Sequence, residues 1–296
     1  MTSRGGVFEV SWRVFIWYTL AMQQTRSQIW AFDCEWAPDL AAGRRLYHLG
    51  ADVPDDEVLR VMWEQGGATE ENPQPFLKTV LCRVVSIAAV VRVEASDGVR
   101  LHLWTLPEKP EDVSVTEADI LTRFLVKFGK AHPTLVGYNS RFADIHILAQ
   151  RAIVNGLSLP EFAKQVCGKP WDMDAIDLMD VVGGLKKGAG CSLNEIANLC
   201  GIPGKLDTTG DDVARLYYGG KRREIVEYNA FDALTTYLLW LRVEHFKGTF
   251  GAAQYAQEQQ RVRDLLRAKS AEPEGAYLKR YVAAWDALQS AECGIM

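Results

Sequence analysis

Residues 28–33 constrain the fold most, because an apolar run there ends on a carboxylate. The segment reads Q-I-W-A-F-D, which is typical of a buried strand that delivers a side chain to the end of a sheet. Residues 79–93 are rich in Val, Ile and Leu, which favours a central strand. Gly98 then introduces an alternating segment at 99–106, so the last two segments predict a β-hairpin.

Helical and extended patterns alternate along the rest of the chain. The predicted elements are, in order, a helix at 116–130, a strand at 134–138, a helix at 142–155, a short strand at 175–182, and helices at 193–199, 211–218 and 223–245. Ser192 and Glu195 have the spacing of a capping box, which marks where the helix at 193–199 begins. This order predicts the α/β class, with a mixed sheet covered by helices.

The sequence divides into three predicted parts. Residues 28–248 form the α/β domain, and the Pro- and Gly-rich stretch 37–78 is an insertion in it with one short helix around 56–64. Residues 249–296 form a helical C-terminal tail, with helical patterns at 252–268 and 273–289. Residues 1–27 are an N-terminal extension.

The N-terminal extension has an apolar stretch that gives no reason to expect a membrane anchor. This stretch is too short to span a bilayer, and Glu9 and Arg13 interrupt it. Because the pattern of the fold begins only after the extension, Met22 is an alternative start of the natural protein.

Composition narrows the classes of function. The net charge of −5 argues against a broad basic surface that coats duplex DNA, although it allows a nucleic-acid enzyme with a small footprint. The six cysteines are scattered and none has zinc-finger spacing. We therefore expect reduced thiols in a cytoplasmic protein.

The first acidic motif follows the apolar run at 28–33. Asp33 and Glu35 are residues i and i+2 of the predicted strand, so they point to one face. Two carboxylates placed in this way can hold a divalent cation, although a solvated strand end has the same pattern.

Two further acidic positions lie on predicted helices. Asp144 falls in the first turn of the helix at 142–155, where it can also simply favour the helix dipole. Tyr228 and Asp232 are residues i and i+4 of the long apolar helix, so they share a face. An acid buried there needs a partner; alternatively, Asp232 lies on an exposed face and Tyr228 at an ordinary core edge.

The order of the three motifs resembles the four-carboxylate (DEDD) exonuclease superfamily of ribonuclease H-like fold. Tyr228 stands four residues before Asp232, which indicates the tyrosine (DEDDy) subgroup, since the histidine subgroup needs His where Glu227 stands. Further segments resemble the predicted 3′–5′ exonucleases related to the exonuclease domain of family B DNA polymerases. These segments are Val85-Ser86-Ile87-Ala88, Asp177-Leu178-Met179-Asp180, Ser192-Leu193-Asn194-Glu195-Ile196-Ala197, Gly201-Ile202-Pro203-Gly204-Lys205 and Tyr237-Leu238-Leu239-Trp240-Leu241-Arg242.

One position departs from the pattern of the family. The family usually has an aromatic residue directly before the second-motif aspartate, whereas Ala143 stands there and Phe142 lies one residue earlier. On a helix the side chain of Phe142 points about 100° away from that position. This departure bears on local packing more than on the assignment of Asp144.

The resemblance implies a ribonuclease H-like fold and a 3′–5′ exonuclease with two metal ions. Such ions lie ~3.5–4 Å apart and serve the attacking hydroxide and the leaving oxygen of phosphodiester hydrolysis. The implied ligands are Asp33, Glu35, Asp144 and Asp232, with Mg²⁺ as the expected metal and Mn²⁺ as a substitute. The hydroxyl of Tyr228 would orient the attacking water.

Three other residues are candidates for substrate contacts. Asn139 and Phe142 could meet the sugar or base of the 3′-terminal nucleotide, and Lys205 could meet the phosphate backbone. Each has a simpler interpretation: Asn139 as a turn residue, Phe142 as a core residue and Lys205 as a solvated cation.

The sequence leaves the substrate and the partners open. Single-stranded DNA 3′ ends are the first candidate, and RNA is the second because discrimination depends on contacts at the 2′ position. A catalytically decayed nucleic-acid-binding module is the alternative of another class, although all four acids are present. The C-terminal tail could bind a polymerase or another protein partner, or it could form a helical cap over the catalytic domain.

Overall fold

The computed structural model describes residues 28–168, 174–184, 190–204, 206 and 212–293, with the side chains of 291–293 left out. Five strands form one sheet, and their bounds are β1 Gln28–Pro38, β2 Cys82–Ala95, β3 Gly98–Leu106, β4 Thr134–Gly137 and β5 Ala175–Asp177. The strand order is β3-β2-β1-β4-β5, with β1, β2 and β3 antiparallel and β4 and β5 parallel to β1. The predicted α/β class, with a ribonuclease H-like mixed sheet, is confirmed.

Helices cover both faces of the sheet. The α-helices are α1 Leu40–Leu46, α2 Asp55–Gln65, α3 Glu117–Ala131, α4 Asp144–Val154, α5 Pro160–Val166, α6 Leu178–Gly183, α7 Leu193–Leu199, α8 Val213–Tyr218, α9 Arg222–Phe246, α10 Ala252–Ser270 and α11 Leu278–Cys293. Short 3₁₀ turns lie at Thr79–Leu81 and Pro273–Gly275.

Alternate side chains of β1 enter two different cores. Trp30 and Phe32 are buried with the aromatic residues Phe124 and Phe128 of α3 on one face. Ala31 faces the opposite side, where it packs in the core built around α9. Side chains of α9 are buried almost without interruption from residue 225 to 241, and a helix that is buried on all sides lies inside the molecule.

The two C-terminal helices share the core of α9. Tyr281 and Trp285 of α11 are fully buried in it, as are Val262 and Leu266 of α10. The predicted helices of the tail are therefore present, and their buried side chains pack on α9.

Two predictions of local structure were wrong. The strand expected at 175–182 ends at Asp177, and helix α6 follows because the Asp177 carboxylate accepts a hydrogen bond from the Met179 amide (3.1 Å) and caps it. The insertion holds two helices, not one, since α1 packs closely on α2 at Gly43, where a Cβ atom would lie 2.5 Å from the Met62 sulfur. Helix α5 was not predicted at all.

The two ends of the insertion meet at its base. Pro38 pairs with Cys82 across β1 and β2, and the Asp39 amide donates a hydrogen bond to the Leu81 carbonyl (2.8 Å). The Asp39 carboxylate also accepts from the buried guanidinium of Arg151 (2.6 Å), which holds Glu117 at 2.7 Å as well. The insertion thus leaves and re-enters the sheet at adjacent positions, and a buried ion-pair network fixes its base to the domain.

Three predictions remain: the N-terminal extension, the phosphate contact of Lys205, and the lack of a membrane anchor. The N-terminal extension of residues 1–27 and the candidate phosphate contact Lys205 lie outside the described residues. Among the described helices, none is both long and apolar enough to cross a membrane.

Candidate active site

Strand β1 supplies two carboxylates on the face of the sheet that α9 covers. Asp33 and Glu35 have the same parity as Ala31, whereas Cys34 between them points into the opposite core. The register of β1 against β2 shifts directly after Glu35, so a β-bulge follows the second acid. Bulges of this kind re-aim side chains and end regular pairing.

Helix α9 brings two more groups to the same point. Tyr228 precedes Asp232 by about one turn, so both side chains project from one side of the helix. Ligand oxygens of Asp33, Glu35 and Asp232 all lie within 4.8 Å of one another. The hydroxyl of Tyr228 forms a hydrogen bond with the Asp232 carboxylate.

Asp144 joins the site through the backbone of β1. Strand β4 pairs with β1 only as far as Ala31, so the Cys34 amide is free to donate to Asp144 Oδ1 (2.9 Å). Asp144 is the first residue of α4, whereas the sequence predicted a helix that begins at 142 with Asp144 in its first turn, and it is 4% exposed. Ala143 in the usual aromatic position therefore does not displace the aspartate from the site.

The turn before α4 is held by an acid that the sequence analysis gave no role. Asn139 has a positive φ of 59°, which Asn tolerates better than most residues. The Asp177 carboxylate at the end of β5 accepts from the amides of Asn139 (2.8 Å) and Arg141 (3.0 Å). Its signal in the sequence was an acidic side chain within the apolar stretch Ala175-Ile176-Asp177-Leu178-Met179, because such an acid needs a partner.

A buried amide positions Asp33. Asn229 donates from Nδ2 to Asp33 Oδ2 (2.7 Å), and its Oδ1 accepts from the Ser86 hydroxyl (3.0 Å). Asn229 and Ser86 are both fully buried. Sequence reasoning missed this pair, although each is a polar residue within an apolar strand or helix and so needed a partner.

The electrostatics of the site disfavour charge on the acids. Burial raises the pKa of Asp33 well above its usual range, and the charges of the three other carboxylates raise it further, against the opposing effect of the hydrogen bond from Asn229. Burial also raises the pKa of Asp144 to about 7, although the hydrogen bond from the Cys34 amide lowers it. Burial, with the nearby carboxylates, raises the pKa of Tyr228 so far that its hydroxyl stays protonated at neutral pH.

The four acids and Tyr228 line one cleft of about 680 Å³. Asn139 lies on its wall, and so do Trp63 and Phe76 of the insertion. Phe142 is not among its lining residues and is 77% exposed, so the interpretation of Phe142 as a core residue was wrong.

The donor set fits a divalent cation. Carboxylate oxygens are the ligands that Mg²⁺ and Mn²⁺ favour. Of the described residues that line the cleft, none is Lys, Arg or His, so no protein cation neutralises the acids there. A bound divalent cation would reverse the effect that raises their pKa values.

A sequence match identifies the family of the chain. Residues 74–285 match the family described as predicted 3′–5′ exonuclease related to the exonuclease domain of PolB. The chain belongs to this exonuclease family. The matched part includes Asp144, Tyr228 and Asp232, whereas Asp33 and Glu35 precede it and reach the site through β1.

Other comparisons are distant. The family B DNA polymerase from the hyperthermophilic archaeon Pyrobaculum calidifontis is similar to this chain, with 19% sequence identity and a TM-score of 0.43. The likeness covers 71% of this chain and 23% of the polymerase, so the chain spans less than a quarter of the polymerase's length. No curated protein matches the chain.

Proposed function

We propose that this protein hydrolyses phosphodiester bonds from the 3′ ends of single-stranded nucleic acid, with DNA as the first candidate substrate. The observation that carries the proposal is the convergence of Asp33, Glu35 and Asp232 within 4.8 Å beside Tyr228. Family membership supports the 3′–5′ exonuclease class. The tyrosine at this place supports the DEDDy subgroup.

The carboxylates would hold two divalent cations, Mg²⁺ or Mn²⁺. Asp33 would contribute to both metal sites, Glu35 and Asp232 would complete one of them, and Asp144 would serve the other. When bound, such ions make hydroxide available near neutral pH and neutralise charge on the leaving oxygen. Asn229 and Ser86 act as positioning residues, because their hydrogen bonds fix the orientation of the Asp33 carboxylate.

Tyr228 orients the attacking water rather than removing its proton. A hydroxyl with a strongly raised pKa stays neutral, so it is a poor base but a good hydrogen-bond partner. Its interaction with Asp232 would hold the hydroxyl beside the proposed metal ligands, where it can meet the attacking water. Holding the attacking water in one orientation toward the phosphate would lower the barrier to hydrolysis.

The 3′-terminal nucleotide would contact Asn139, which lines the cleft at the turn before α4. Phe142 is exposed and lies outside the cleft wall. It could therefore contact only a longer nucleic-acid strand that extends beyond the cleft. The assignment of Lys205 to phosphate contact stays a prediction. A partner role for the tail also stays a prediction, since the buried faces of α10 and α11 are turned toward α9.

A gel time course with 5′-labelled single-stranded DNA tests the proposal. We expect a ladder that shortens from the 3′ end with Mg²⁺ or Mn²⁺ and none with EDTA, because hydrolysis needs the metals. Asp33→Ala should abolish the ladder, and Asp97→Ala, an exposed acid in the β2–β3 turn, should leave it unchanged.

The same assay on RNA separates the alternatives. Faster shortening of RNA than of DNA would make RNA the substrate. Failure on both nucleic acids with both metals would refute the proposal and favour the decayed binding module.

A further inference from the structure

An exposed aromatic ring lines the cleft that holds the candidate metal ligands. Phe76 is 82% exposed, yet it lines the same cleft as Asp33, Glu35 and Asp232. Trp63 of α2 lines this cleft too. Only four of the 24 aromatic side chains in the described part of the chain are exposed, so a phenyl ring in open solvent beside the acids needs an explanation.

The segment that carries Phe76 is held in place. Its neighbour Leu77 packs against the core between β1 and α3, and it fills the space beside Gly66, where a Cβ atom would lie 2.7 Å from Leu77 Cδ2. Pro75 on the other side restricts the backbone. A ring on a restrained segment loses little conformational freedom when it binds a ligand.

The helix that carries Trp63 is also fixed. Met62 beside it is fully buried against α1 at Gly43, and the first residue after β1, Asp39, is bonded to the buried Arg151. At the other end of the insertion, the Thr79 hydroxyl donates to Gln150 of α4 (2.7 Å). The wall of the cleft is therefore a preformed surface.

The charges of the cleft indicate which part of a nucleic acid this wall contacts. The charged residues that line it, among those described, are Asp33, Glu35, Asp144 and Asp232. A wall without cations gives no attraction to phosphates away from the metals. Aromatic rings, in contrast, bind the faces of nucleobases with little sequence preference.

We propose that Phe76 and Trp63 form a stacking wall for the bases next to the scissile bond, so that the insertion determines affinity for single strands. This inference rests on the proposed function, since the strand enters with its 3′ end at the carboxylates. Both residues are positioning residues, because they touch the substrate away from the reacting phosphate.

The test compares Phe76→Ala with Phe246→Ala in the full-length protein. Phe246 ends α9, is 86% exposed and does not line the cleft, so it is a matched control. The substrates are a labelled oligodeoxythymidine, the same oligomer with one abasic site at successive positions near the 3′ end, and the p-nitrophenyl ester of thymidine 5′-monophosphate. The readouts are kcat and KM, with a thermal melt of each variant.

Stacking predicts a specific pattern. Phe76→Ala should raise KM for the intact oligomer by about tenfold, which is within the measured range for one base on one aromatic ring, with kcat unchanged. The loss should disappear on the oligomer that lacks the contacted base, and on the ester. Phe246→Ala should match the unsubstituted protein throughout.

Other outcomes overturn the inference. Equal KM values for Phe76→Ala and the unsubstituted protein on the intact oligomer would show that the ring does not bind the strand. A loss that persists on every abasic oligomer and on the ester would show an effect on the catalytic centre instead. Both results leave the exonuclease proposal standing, whereas an unsubstituted protein that cleaves no substrate would refute that proposal and the stacking wall together.

Discussion

At the scale of single residues, Tyr228 combines two properties that rarely occur together. It is 6% exposed, yet it lies beside three carboxylates in the cleft. Burial and like charge both oppose ionisation of its hydroxyl, so its proton remains in place at the pH where the acids bind metal. The role that we propose for Tyr228 in hydrolysis is therefore to orient the attacking water.

Tyr228→Phe tests this geometric role. We expect kcat to fall by about a hundredfold, because the attacking water loses the group that orients it. Mn²⁺ affinity measured by calorimetry should stay close to that of the unsubstituted protein, since no ligand oxygen is removed. Tyr255→Phe removes the same atom from α10, away from the cleft, and should retain full activity. A Tyr228→Phe enzyme with unchanged kcat would remove the assigned role.

Local spacing in the sequence predicted which of the candidate acids share a face, whereas their joint role as ligands came from the resemblance to the DEDD superfamily and stays a prediction. Asp33 and Glu35 share a strand face, and Tyr228 and Asp232 share a helix face, whatever the rest of the chain does. The partnership of Asn229 with Ser86 was not predictable in this way. It joins residues far apart in sequence and depends on how α9 packs on β2.

At the scale of elements, one buried ion pair joins β2 to α10. Arg92 and Glu258 are both buried, with 2.9 Å between the guanidinium and carboxylate atoms. Arg92 also lies over the ring of Phe250, which precedes α10. Loss of one member of a buried pair leaves an uncompensated charge inside the protein.

Glu258→Ala should therefore destabilise the whole catalytic unit. We expect the free energy of unfolding to fall by about 3–5 kcal/mol in urea titrations. Asp97→Ala breaks the exposed pair with Arg100 and should cost less than about 1 kcal/mol, which makes it the control. Similar losses for the two variants would mean that α10 is not coupled to the sheet through this pair.

Element lengths explain which parts of the fold the sequence predicted. Long periodic segments such as α3 and α9 carry enough apolar residues to define a face. Short helices depend on contacts that no local window contains. Helix α1, for example, is seven residues long and depends on the fit of Gly43 against Met62.

At the scale of the whole molecule, stability without metal depends on protons in the cleft. The pKa of Asp144 is about 7 and that of Asp33 is also raised, so the folded protein retains protons that the unfolded chain releases. The stability that these groups contribute is full below about pH 4, where unfolded Asp is protonated. It is lost as the pH rises through the folded pKa values.

Divalent cations should reverse this loss. Thermal melts in EDTA should show a falling Tm between about pH 5 and pH 8, and millimolar Mg²⁺ should raise Tm more at the higher pH, because the ligands bind metal only when deprotonated. Asp33→Ala should respond weakly to Mg²⁺ at both pH values. An equal rise in Tm at the two pH values in the unsubstituted protein would contradict the assignment of these acids as ligands.

Because the two ends of the insertion meet at its base, changes within the insertion are separated from changes at the acids of β1. The chain leaves the sheet at Pro38 and returns at Cys82, directly opposite, with the Asp39 amide bonded to the Leu81 carbonyl. Residues between these points can be lengthened, shortened or exchanged without moving Asp33 and Glu35 on β1. Substitutions in the insertion can therefore change the proposed affinity for single strands during evolution, while the proposed metal ligands on β1 keep their positions.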